Sequence, residues 1–326
     1  MEAPRTLSRR AEPLAVAALV LAAVAAWALA PTYPNYDAYF HLDWGRQLLD
    51  GLSPTFQAYA APTEHPLYVA LGAVAALFGR AGERVLVLCT MLSWAALIYG
   101  TFRLGRSVFG WAPGLAAAAF VASSFAFLLY AAKAFVDMPF ITLVIWAGVL
   151  AAADRVRPVA VMTVLTLAGL LRPEVWLLAA GWWLWRARGR PGSRTLVVLA
   201  AIGLAAPLGW ALCDLLVTGD PLYSVHSTSA LAGALGRLQG PAELPGELVR
   251  FLASAVRPPV AVLAVAGIVL AWRRLGPRRL FVPLALLGGG VVAFFLLGLV
   301  GQPVLPRYLT VPAVALCLFA GYAVFG

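Results

Sequence analysis

The chain has 326 residues, 62% of them hydrophobic and only 12% charged, against roughly 25% charged in soluble domains. A soluble fold of this length would leave large apolar patches in water, so a soluble enzyme is excluded. The net charge of +10 is almost all arginine, with Lys133 the single lysine; in a chain of recurring apolar runs this reads as charge in cytoplasmic loops and gives no support to a nucleic-acid partner. Cys89, Cys213 and Cys317 each sit inside an apolar run without metal-ligand spacing and read as packing residues.

At the N-terminus, Arg5, Arg9 and Arg10 precede an apolar run over 13–30. The run is long for a secretory signal and Pro31 stands where cleavage would fall, so it reads as an uncleaved first transmembrane helix. Nine further spans follow, over 85–102, 108–130, 137–153, 158–171, 174–185, 195–217, 259–272, 280–300 and 308–325. Segment 66–79 reaches only ~21 Å as a helix, short of a ~30 Å hydrocarbon core. If it does not cross, the inner loops collect 15 basic residues against three acids, while nine basic residues and 11 acids face outward. If it crosses, the Arg186–Arg194 and Arg273–Arg279 clusters fall outside, against the positive-inside rule. The expectation is an all-α, single polytopic domain over 1–326 with about ten crossings and both ends cytoplasmic. Its two longer outer loops cover 31–84, with juxtamembrane helices, and 218–258.

This parity places Asp37, Asp43, Glu64, His65, Asp137, Arg172, Glu174, Asp220 and Arg307 in one outer layer. In the first outer loop, 36–49 suits a helix lying on the membrane, with Phe40, Trp44 and Leu48 in one stripe. Asp37 stands at its start between Tyr36 and Tyr39, close to His41. A carboxylate there also reads as a helix N-cap, but its place at the bilayer edge suits action on a lipid-linked substrate. Pro62-Thr63-Glu64-His65-Pro66 sets two ionisable groups before the short helix, where Thr and Glu are common capping residues.

Farther along, Asp137 stands at a helix start one turn after Lys133, where an acid suits the helix dipole. Arg172-Pro173-Glu174 breaks two apolar runs at their outer end, where charges are also tolerated by snorkelling. Gly219-Asp220-Pro221 reads as a turn. Arg307-Tyr308 opens the last helix, where Arg307 suits either a phosphate or a membrane anchor. The sequence has no phosphate-binding loop, dinucleotide fingerprint, zinc spacing or nucleophile elbow.

Taken in order, these segments resemble the integral-membrane glycosyltransferases of the GT-C fold: protein O-mannosyltransferases, lipid A aminoarabinose transferases and related family 39-like enzymes. The resemblance runs through YPNYDAYFHLDWGRQLLDG, PTEHPLYVALGAVAALFG, RLGRSVFG, FVDMPF, LLRPEVWLL, GDPLY and PRYLTVP, over about 13–315. It implies inverting transfer from a polyprenyl-phosphate sugar on the outer side of the plasma (inner) membrane, to an acceptor that is a lipid, glycan or protein. Asp37 matches the first-loop acid, the general base or a metal-linked acid, and Asp137 matches the second outer acid. Arg307 falls near the late arginine associated with donor phosphate, and Glu64 and His65 occupy the Pro-rich stretch. Asp37 is followed by Ala38, not by the second acid of many members, so a divalent metal stays open and no metal ligand is assigned. The chain ends after the tenth span, where many relatives continue, which implies a reduced acceptor site or a fragment.

The chemistry needs a base on the acceptor hydroxyl and positive charge on the leaving phosphate, from arginine or Lys133. The catalytic candidate is thus Asp37, with Tyr36, His41, Glu64, His65, Lys133, Asp137, Arg172, Glu174, Arg307 and Tyr308 as substrate-binding candidates. A transporter or flippase is the main competing expectation; it calls for ionisable groups near mid-membrane and for inverted repeats. A structural subunit, indifferent to the loss of Asp37 and Asp137, is the third.

Overall fold

The computed structural model describes residues 5–189, 191–238 and 240–326, with side chains from residue 12 onward. Among these, all regular structure is helical. Helix α1 (Arg5–Leu29) is followed by α2 (Tyr36–Leu49), α3 (Pro66–Ala76), α4 (Gly82–Phe109), α5 (Trp111–Ala122), α6 (Phe125–Ala132), α7 (Asp137–Ala151) and α8 (Pro158–Gly169). The second half holds α9 (Trp176–Arg188), α10 (Ser193–Thr218), α11 (Tyr223–Ala234), α12 (Leu244–Val256), α13 (Pro258–Arg279), α14 (Phe281–Leu299) and α15 (Thr310–Phe325). Proline opens α3, α8 and α13, where its missing N–H costs nothing. Gly219, at φ 81°, closes α10 in the left-handed conformation that spares a Cβ clash.

Six of the ten expected spans are helices long and apolar enough to cross a membrane: α1, α4, α10, α13, α14 and the segment 306–325 ending in α15. The expected span 108–130 is α5 and α6, bent by 58° where Ser123 and Ser124 interrupt the apolar run. Expected spans 137–153, 158–171 and 174–185 are shorter helices of 15, 12 and 13 residues, each below the ~20 residues of a straight crossing. Helix length thus supports six crossings, or seven with the bent pair, and does not by itself carry the count to ten.

Segment 66–79 forms the 11-residue α3, packed on α2. The two backbones touch through Gly45 and Gly72: a Cβ on Gly72 would collide with the His41 carbonyl, and one on Gly45 with the Ala73 amide. Small residues permit such contact, as they do between membrane helices generally.

The centre of the bundle is α15, buried from Thr310 to Tyr322. Helices α13 and α5 press against it where Gly267 meets the Phe319 carbonyl and Gly321 meets Pro113. At one end of the bundle Arg106 pairs with Glu12 at 3.2 Å, and the Arg279 Nε donates to the Val108 carbonyl at 2.7 Å. The opposite end gathers α2, α3, α11, α12 and the starts of α7 and α15. The outer-layer residues meet there.

Candidate functional site

The first loop beyond α1 ends on a cap. The Asn35 side-chain oxygen accepts the Ala38 N–H at 2.9 Å, and the Asn35 N–H donates to the Lys133 carbonyl at 2.8 Å. Capping α2 therefore falls to Asn35, and Asp37, in the first turn, keeps its carboxylate for another partner. That partner is Arg307, whose Nη1 donates to Asp37 Oδ2 at 3.2 Å. The two side chains are 28% and 21% exposed, so a ligand can reach both. Arg307 is delivered by the start of the most buried helix, and its Nε is buried with no hydrogen-bond partner.

Arg307 borders two cavities. The first, of about 600 Å³, is lined by Tyr36, Asp37, Tyr130, Thr228 and Arg237. The second, of about 420 Å³, lies among α9, α10 and α14 with walls of Trp176, Leu177, Trp210, Leu296, Leu297 and Val300. Its polar end carries His65, Arg172, Glu174, Arg307 and Tyr308. A cavity with hydrocarbon walls and guanidinium groups at one end suits an apolar chain ending in an anion.

Behind that end lies a buried charge cluster. Arg172 is ion-paired with Asp137, and it donates to Glu174 Oε1 from Nε at 3.0 Å and from Nη2 at 2.6 Å. Its guanidinium carbon stands 4.9 Å from the centre of the Tyr308 ring. Asp137 is 0% exposed and lines neither cavity, so its task is to hold Arg172.

His41 and His65 stack at 5.2 Å with 11° between their planes. His41 Nδ1 donates to the Asp37 carbonyl at 2.6 Å, and burial pushes the imidazole down to about 4. Burial, reinforced by His41, Arg172 and Arg307, lowers His65 as well. Both rings are neutral at pH 7 and act as packing between α2 and the apolar cavity.

Glu64 hydrogen-bonds the Ser224 hydroxyl, which lies 2.8 Å from both Asp214 carboxylate oxygens. Asp214 was not singled out from the sequence. Its one signal was a carboxylate inside the apolar run ALCDLLV, an arrangement costly enough in a membrane helix to mark a site. Lys133 is set apart: its ammonium lies against the Tyr33 ring, 2.9 Å from the centroid, and it lines neither cavity. Among the described residues no three His, Cys, Asp or Glu side chains converge as a metal-binding group. The nearest charge to Asp37 is a guanidinium, a poor neighbour for a cation.

No protein-family model matches the chain, and no curated protein matches it by sequence. A solved structure does: ArnT from Cupriavidus metallidurans, bound to undecaprenyl phosphate, superposes with a TM-score of 0.62 at 16% identity. The fold is that of ArnT. The match covers 94% of this chain and 59% of ArnT, so the chain spans about three fifths of that protein's length. The fold expected from the ordered motifs is thus shared with that structure. At that identity the likeness carries the fold alone, and any activity has to be argued from the residues around Asp37.

Proposed function

We propose that the chain is an inverting membrane glycosyltransferase that moves a sugar from a polyprenyl phosphate to an acceptor on the outer face of the plasma (inner) membrane. The observation that carries the reading is the reachable Asp37–Arg307 pair at the junction of an apolar and a polar cavity. The donor's isoprenoid end lies among Trp176, Trp210 and Leu296, with its phosphate toward Arg307 and Arg172. The acceptor hydroxyl enters from the Tyr36 side and gives its proton to Asp37 as it attacks the anomeric carbon. The new C–O bond forms opposite the breaking bond to phosphate, which inverts the centre, and the phosphate leaves with the bonding pair toward Arg307. Positioned base catalysis of this kind supplies roughly 10²–10⁴ in rate. That ArnT was solved with undecaprenyl phosphate supports the donor class, and the arginine distribution supports the outward direction.

A flippase gains one observation, the buried Asp214 within α10. That residue lies one turn from the helix end at Thr218, and its carboxylate is occupied by Ser224. The decisive experiment extracts lipids from cells lacking the protein. A transferase predicts accumulation of a polyprenyl-phosphate sugar that wild-type protein removes. An unchanged lipid-linked sugar pool would sink the reading.

A further inference from the structure

Two carboxyl groups meet on one hydroxyl where the two outer loops touch. Ser224, near the start of α11, lies with its Oγ 2.8 Å from both Asp214 oxygens and against Glu64 Oε1. Trp210 Nε1 donates to the same Oγ at 2.7 Å, and the Ser224 N–H donates to Asp214 Oδ2 at 2.9 Å. Glu64 and Asp214 are each 1% exposed, and among the described residues neither forms an ion pair. The ionisable groups beside the cluster are His65 next to Glu64, Cys213 of α10 and Tyr223 of α11, none of them cationic at pH 7; Arg172, Glu174 and Arg307 line the same apolar cavity as Asp214, but both arginines are ion-paired to other acids.

Counting protons decides the state of this cluster. A serine hydroxyl has one proton to give and two lone pairs. It satisfies one carboxylate and accepts the indole N–H, so the second carboxyl must bring its own proton. Asp214 receives a backbone N–H as well as the hydroxyl, the surroundings of an ionised acid. Glu64 is then the neutral one, donating to Ser224 Oγ. Its other oxygen is buried without a partner, which a neutral carbonyl tolerates far better than a charged carboxylate does. Burial and the hydrogen bond to Asp214 push Glu64 up to about 9, in the same direction.

The cluster lies in a wall. Thr63 and Thr228, which hydrogen-bond to each other, line both cavities, and the Tyr223 hydroxyl donates to the Phe56 carbonyl at 3.0 Å. We propose that Glu64 and Asp214 hold one proton between them through Ser224, and that this shared proton clamps α11 onto the first outer loop and fixes the wall between the cavities. Glu64 is thus a positioning residue, and the clamp stands whatever the cavities bind.

The test uses the purified full chain in nanodiscs and needs no substrate. Infrared difference spectra at pH 7, wild type minus E64Q, are expected to show one protonated-carboxyl band. The wild-type unfolding midpoint should fall as pH rises toward about 9, because the folded state keeps a proton that the unfolded glutamate releases near its ordinary value. E64Q, whose amide also donates to Ser224, should lose that slope and unfold no earlier than wild type at pH 7, while E64A and S224A should unfold earlier than E64Q at every pH. The proposal is overturned by a difference spectrum without the band, by an unchanged slope in E64Q, by an E64Q chain that does not fold, or by a stoichiometric divalent metal in elemental analysis.

Discussion

Asp37 and Asp137 occupy similar places in the chain, each in the first turn of a helix at the same end of the bundle, and each meets an arginine. Their surroundings separate them. Asp137 is sealed under α7 with its arginine, while Asp37 is over a quarter exposed beside a cavity of about 600 Å³. The buried pair fixes where Arg172 stands, at the polar end of the apolar cavity. The open pair can part: an anion drawing on Arg307 releases the carboxylate that a base needs. Two acids in similar places therefore divide into one buried in holding its arginine and one open to a ligand, which in the proposed reaction is the base, and burial makes the division.

The largest expected effect lies at the reactive acid. D37N should lower sugar transfer by roughly 10²–10⁴, with expression, insertion and thermal midpoint close to wild type. Transfer by D37N at the normal rate would erase the contrast and return Asp37 to a helix-end residue. D137N should act the other way round, costing about 3–5 kcal/mol of stability because it leaves Arg172 buried beside one fewer charge. Denaturation in mild detergent checks this. A D137N protein that is stable but inactive would move Asp137 into the reaction and remove the distinction.

A smaller effect is expected at the crossing that presents Asp37. A methyl on Gly72 meets the His41 carbonyl, and burial of that contact leaves only backbone movement as relief. G72A should cost about 1–3 kcal/mol and lower transfer partly, because the shift passes through His41 to the Asp37 carbonyl it donates to. Full activity in G72A would show that the placement of Asp37 does not depend on α3.

Much of this was legible in the sequence because charge and length are local properties. The short run 66–79 and the arginine parity were enough to keep α3 from counting as a crossing, and the same parity put Asp37, Arg172 and Arg307 at one end. The exchange of capping duty from Asp37 to Asn35 was not legible, since both are good caps and only the backbone angles choose between them. Nor was the break between α5 and α6, where two serines interrupt a run whose composition stays apolar. The separation of Lys133 from the cavities follows from the turn at Ala134, a non-glycine residue at φ 51° held by the Tyr68 hydroxyl at 2.6 Å. Asp214 escaped notice because one acid in a long apolar run does not alter the helix pattern. Its partner Ser224 stands 10 residues along the chain, and Ser224's other partner, Glu64, is 160 residues from that serine.

The smallest expected effect completes the contrast with a third acid. Asp220 sits in the turn before α11, where its Oδ1 accepts the Leu222 N–H at 2.9 Å and its Oδ2 lies 2.7 Å from His226 Nδ1. The backbone hydrogen bond first, and His226 second, hold its carboxyl below the usual value. A lowered acid adds stability that is present above the unfolded value and is lost as pH falls through the folded one. Here that contribution is negligible, because the carboxylate is 40% and the imidazole 63% exposed to screening solvent. D220N keeps the side-chain oxygen that caps the turn. It should leave both transfer and the unfolding midpoint unchanged between pH 5 and 8, and a marked loss of transfer would show that reactive acids extend beyond the cavity that Asp37 faces.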